Sequence, residues 1–167
     1  MSVIHRAMQG VLLGALLAAT ALPAFAKEAS RSAPAWTVTC VSAARSGPAD
    51  CKMEQRLVAQ ETGQTLSLVV IKVPGDTREP VMQVLLPNGL ALSEAVTLQV
   101  DDGKAAPLPL AFCDASGCLA SMPLSSMWLK RLQKGKTLIF KATTAQGDPL
   151  QLNHSLADFT SSFGTVK

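Results

Sequence analysis

Two cysteines eleven residues apart, each lying in an alternating segment, limit what this chain can fold into more than any other feature. Trp36, Val38 and Cys40 alternate with Thr37 and Thr39; after a ten-residue loop, Cys51, Met53, Gln55 and Leu57 alternate with Lys52, Glu54 and Arg56. A period of two is the pattern of a strand buried on one face, so the stretch predicts two antiparallel strands. A Cys40–Cys51 bond would staple them on the core side, where the Trp36 ring can cover the sulfurs from water.

A disulfide needs an oxidising compartment, and the start of the chain predicts one. His5 and Arg6 precede an uncharged apolar run from Val11 to Leu22, then Pro23 and Ala24-Phe25-Ala26. A positive start, an apolar run shorter than a spanning helix and small residues at the end make residues 1–26 a secretory signal peptide, cleaved after Ala26. No cysteine follows until Cys40, so the cleavage site offers no thiol for a lipid, and a soluble periplasmic, envelope-associated or secreted protein is expected. Removing 26 of 167 residues leaves 141, the size of one domain. Residues 27–35 have no apolar period and read as a flexible lead-in to a domain over 36–167.

The remaining cysteines, Cys113 and Cys118, also form a local pair. Four cysteines allow three connectivities. The local one is preferred because each pair spans a short loop of Gly, Ser, Pro or Asp that can bring the two Cα atoms within bridging distance. Each bridge would contribute roughly 2–3 kcal/mol by restricting the unfolded chain.

Further along, Thr65 to Val73 is a β-branched and leucine-rich run whose inner part, Leu68 to Ile71, reads as a central strand covered on both faces. Val81 to Leu86 ends at the turn Pro87-Asn88-Gly89. Val96, Leu98 and Val100 alternate before Asp102-Gly103, a strand entering a hairpin turn. Pro107 and Pro109 cannot donate to a ladder, which places Leu108 to Cys113 at a sheet edge. Ser125 or Ser126 caps one short helix, Met127 to Gln133, with Trp128 and Leu132 on one side and Gly135 as its stop. Thr137 to Thr144 and Leu150 to Ser155 are two further strands, and the tail from Leu156 to Phe163 is a turn or short helix. Seven or eight short strands without a βαβ rhythm predict an all-β fold, an antiparallel, immunoglobulin-like β-sandwich with one short helix.

The residues offer little catalytic chemistry. Past the leader the sequence holds one histidine, His154, and no nucleophile elbow, His-Glu-x-x-His or phosphate loop. Cys113, Cys118 and His154 could in principle hold a metal, but oxidation would remove the thiolates, and the spacing is not the Cys-x-x-Cys of a redox dithiol. No enzyme activity, cofactor or metal is expected. The mature chain carries 14 basic against 12 acidic residues, and it has no tyrosine, so clustered basic and aromatic residues for nucleic acid are missing. Gln55 is a polar side chain on an otherwise apolar face; its expected role is to satisfy buried backbone groups. Lys130, Arg131 and Lys134, with Lys136 beside them, form the one basic cluster. It reads as a solvated helix end complementing the helix dipole, or as a contact for an anionic envelope surface or acidic partner.

Several of these features together resemble a known family. Trp36-x3-Cys40, Cys51-x3-Gln55, Asp101-Asp102-Gly103, Cys113-x4-Cys118 with Gly117 before its second cysteine, Leu132-x2-Gly135 and the closing Ser155-Leu156 with Phe159 are similar to the invasion-associated locus B (IalB) family of exported bacterial proteins. Asp158 stands where that family usually has a glycine. The resemblance implies an exported β-sandwich with no established enzymatic activity, in a family named for entry into host cells yet widespread in free-living bacteria. The expected function is therefore a non-catalytic envelope or periplasmic interaction protein. The alternative is a periplasmic binding or inhibitor module for a soluble ligand or enzyme.

Overall fold

The computed structural model describes residues 35–42 and 47–167. The expected signal peptide and residues 27–34 of the lead-in lie outside the described residues. Among the described residues no helix is long and apolar enough to cross a membrane.

Among the described residues ten strands form two antiparallel sheets. Strands β1 (Thr37–Ser42), β2 (Ala49–Val58), β3 (Thr65–Val73) and β4 (Val81–Leu86) make a meander. It is extended by β8 (Gly117–Pro123) and β7 (Leu110–Asp114) into a six-stranded sheet ordered β1-β2-β3-β4-β8-β7. The second sheet holds β5 (Thr97–Val100), β6 (Ala106–Pro107), β9 (Thr137–Thr143) and β10 (Pro149–Ser155), ordered β10-β9-β5-β6. This six-and-four division differs from the four-and-three of an immunoglobulin constant domain. The prolines explain one crossing: Pro107 ends the edge strand β6, Pro109 follows, and the chain then joins the edge of the other sheet as β7.

Alternation along the strands builds the core. Met53, Val69, Ile71, Met82, Val84 and Ala120 from the large sheet, and Leu98, Leu138 and Phe140 from the small one, are all buried. The outward face of β3 is only half covered: Leu66, Leu68 and Val70 are intermediate, so this central strand is not enclosed on both sides. Its apolar run reflects β propensity as much as burial.

Two helices close the sandwich. Helix α1 (Ser126–Lys134) starts at Ser125, whose hydroxyl accepts from the Trp128 backbone N–H, and buries Trp128 and Leu132. Gly135 ends it in an extended conformation, so its glycine is not there for a left-handed turn. A Cβ at 135 would lie 2.2 Å from Val100 Cγ1; close packing is the reason. The tail read as a turn or short helix takes the second form, as helix α2 (Phe159–Val166), which runs three residues past the expected end at Phe163. Phe159, Phe163 and Val166 are buried, and the helix lies against β1, β2 and α1. Asp158 precedes it at φ 60°, a left-handed conformation that explains why glycine suits the position.

Both expected disulfides are present, Cys40–Cys51 across β1 and β2 and Cys113–Cys118 across β7 and β8. The first differs in its surroundings from the sequence expectation. Cys51 is buried but Cys40 is exposed, because β1 is an edge strand and is exposed from Thr39 onward. Four residues of strand, about 13 Å, separate Trp36 from Cys40, and the indole packs edge-on to Phe159 instead, with ring centroids 5.3 Å apart.

Candidate functional site

Two groups of side chains stand out, one inside the sandwich and one on its surface. The inner group begins at Gln55 on β2. Its Nε2 donates to the carbonyls of Ala35 (3.0 Å) and Ser155 (2.9 Å), so both amide protons are engaged. Its Oε1, 3.0 Å from His154 Nδ1, must then accept, which fixes the histidine proton on Nδ1. Nε2 of the neutral ring is left as an acceptor, and Ser67 Oγ donates to it at 2.7 Å. Trp36 Nε1 donates to the same Ser155 carbonyl at 3.2 Å. The result is one chain of bonds, Ser67 to His154 to Gln55, joining β2 and β3 of one sheet to β10 of the other.

A serine hydroxyl on an imidazole Nε2, with a third group orienting Nδ1, is the order of a nucleophile, base and orienting residue. Three facts bear on what it can do. Ser67 is 2% and His154 1% exposed. Burial pushes the His154 pKa down to about 4, so the ring is a weak base. The orienting group is a neutral amide, which cannot stabilise an imidazolium as a carboxylate does. The Phe140 ring meets the imidazole edge-on at 5.7 Å, closing another side of the site. Sequence reasoning singled out Gln55 and His154 separately and missed Ser67. The available signal was its place, in phase with Val69, Ile71 and Val73 on the buried face of β3.

The outer group lies on α1. Lys130 and Lys134 are exposed, and the Arg131 guanidinium lies 5.0 Å from the Trp128 ring centroid, a cation–π contact. Among the described residues the ion pairs run from Lys52 and Arg56 to Glu54, so none of the α1 cations has a carboxylate within salt-bridge distance. Asp101 lines the same depression as Arg131 and Lys134. It is held at φ 48°, with its carboxylate accepting the backbone N–H groups of Lys136 and Thr137, a role its place in a turn motif does not reveal. Elsewhere, Leu92 and Phe112 are large exposed apolar side chains lining one groove of about 490 Å³ beside β6 and β7. Cys113 and Cys118 are bonded to each other, and His154 belongs to the inner group; among the described residues no three His, Cys, Asp or Glu gather to hold a metal.

Residues 36–167 match the family model described as Invasion associated locus B (IalB) protein. The chain belongs to the IalB family. Curated relatives include the invasion protein B homologs of Brucella abortus strain 2308 and of Brucella abortus biovar 1 strain 9-941. Each is 29% identical over 152 residues, covering 89% of this chain and 85% of the relative. Among solved structures, the crystal structure of invasion associated protein B from Bartonella henselae superimposes with a TM-score of 0.69 at 22% identity, over 80% of this chain and 92% of that one. The sandwich described above is thus an IalB-family fold. The matched segment begins at Trp36 and includes both disulfides, the buried polar chain and both helices.

Proposed function

We propose that this IalB-family protein is an exported, non-catalytic envelope component that works by contact, and that the contact is made by Lys130, Arg131 and Lys134 on α1. The observation that carries the reading is the contrast between the two groups. The one arrangement with the order of a catalytic serine site is sealed in the core with its hydrogen-bonding capacity engaged, whereas the cations on α1 are accessible and have no acidic partner within 4 Å among the described residues. Export is supported by the leader-like start of the sequence and by two disulfides, which persist in oxidising compartments. The relatives' names attach them to invasion. For this chain a host-entry role is one context in which such a contact could operate, not a requirement of it.

The test is envelope association across a salt series. Surface charges act over a Debye length of about 8 Å at physiological ionic strength, so attachment of the parent should weaken as salt rises. Replacing Lys130, Arg131 and Lys134 with Gln should release the protein at low salt while leaving its melting temperature close to the parent's. Identical partitioning of parent and variant at every salt concentration would refute the assignment. The apolar groove bearing Leu92 and Phe112 favours a second reading, a binding module for a soluble ligand or enzyme. A soluble pool that co-purifies with one partner, lost on Phe112→Ser, would support it.

A further inference from the structure

The contact face on α1 extends beyond the helix. Met127, Lys130 and Lys134 recur at helical spacing and make one outward stripe opposite the buried Trp128 and Leu132, with Arg131 on its flank, half-buried against the Trp128 ring. A surface depression of about 470 Å³ runs along this stripe, and a second of about 250 Å³ lies between the helix end and the turn after β5. Arg131 and Lys134 line both, so the two are adjacent, and the second adds Lys104. Four cations from two separate elements therefore border one surface. The acid that lines it, Asp101, has its carboxylate engaged by the N–H groups of Lys136 and Thr137.

Resting on the contact function proposed above, we infer that this surface docks onto the phosphate headgroups of an anionic membrane leaflet. Charge complementarity selects an anionic partner: four cations outnumber the one acid lining this surface, and none has a carboxylate in salt-bridge range among the described residues. The arrangement selects a surface over a small ion. A single small anion is held by donors converging on one point, but these cations are spread along a helical stripe and a neighbouring turn. Met127, 53% exposed, sits at the other end of the same stripe. An apolar side chain among cations fits the boundary between headgroups and acyl chains, into which it can insert while the lysines reach the phosphates.

Each cation near an anionic leaflet strengthens binding roughly fivefold, so loss of three should weaken it on the order of 100-fold. The test is co-sedimentation of the purified mature protein, disulfides intact, with phosphatidylcholine vesicles alone and with phosphatidylglycerol added. Binding should require the anionic lipid. It should fall roughly fivefold in Lys104→Gln and on the order of 100-fold in the Lys130, Arg131 and Lys134 triple Gln variant, and it should weaken in Met127→Gln, which changes no charge. Inorganic phosphate should compete only as general salt does. Equal or absent binding to the two vesicle types, an unaltered Lys104→Gln, or saturable competition by inorganic phosphate would overturn the inference. If the triple variant leaves native envelopes but the parent ignores anionic vesicles, the partner is an acidic protein: the contact function stands and the lipid assignment falls.

Discussion

His154 carries a consequence that can be read in a titration. Buried among Phe140, Ser67 and Gln55, it stays neutral in the folded protein down to about pH 4, while in the unfolded chain it takes a proton near its ordinary value of 6.5. Between those values the unfolded state binds more protons, so stability rises with pH across the window and is lost as pH falls from 6.5 towards 4. The loss between pH 7 and pH 5 should be about 2 kcal/mol, measured by urea unfolding at each pH. Glu54, lowered chiefly by the hydrogen bond from Lys52, loses its contribution only from its ordinary value of 4.5 downward, below the pH 7 to pH 5 interval. In His154→Gln the pH 7 to pH 5 difference should largely vanish even though stability at pH 7 falls; an unchanged difference would place the titrating group elsewhere. Gly117 is the other residue with a sharp expectation. At φ 139° and with a Cβ that would lie 2.4 Å from the Leu86 carbonyl oxygen, it should not tolerate Ala: thermal unfolding of Gly117→Ala should report a loss of at least about 2 kcal/mol. Gly63→Ala serves as control, since it meets strain at φ 68° but no contact within 4 Å.

At the scale of elements, the contact between the start of β1 and α2 is the one the sequence hides most. Trp36 is 2% and Phe159 1% exposed, and Phe163 stacks on Phe159 with centroids 5.9 Å apart. Trp36→Ala should cost about 3–5 kcal/mol. A melting temperature equal to the parent's would mean the indole does not sit in the core. The strands were legible because alternation records burial directly: Cys51, Met53 and Gln55 face inward while Asp50 and Arg56 are exposed. Helix α1 was legible from its serine cap and from the spacing of Trp128 and Leu132. Helix α2 was legible only as one of two alternatives, a turn or short helix, because Phe-Thr-Ser-Ser-Phe-Gly-Thr-Val has poor intrinsic helix propensity and is held by the packing of its apolar residues on other elements. The phase of Cys40 matches Trp36 and Val38 and so predicts the covered side, but phase says nothing about whether an edge strand is covered.

For the whole molecule, the two sheets are joined by apolar contact and by the polar chain of Ser67, His154 and Gln55. Within the candidate sites, the sequence showed Gln55 as an anomaly and Lys130, Arg131 and Lys134 as a cluster. It did not show that Ser67 and His154, 87 positions apart, share a hydrogen bond, or that Lys104 joins the α1 cations. Long-range pairings depend on how the sheets stack, which no local pattern encodes. The account predicts that the working surface is α1 and the turn after β5, and not the sheet edges or the apolar groove. The direct measurement is photocrosslinking in living cells of the bacterium that makes the protein, with benzoylphenylalanine placed singly at Lys130 and Lys104, at Val41 on the β1 edge, and at Leu92 and Phe112 in the groove. Adducts at 130 and 104, with none at 41, 92 or 112, are the predicted result; adducts confined to the groove or the β1 edge, with α1 silent, would contradict it.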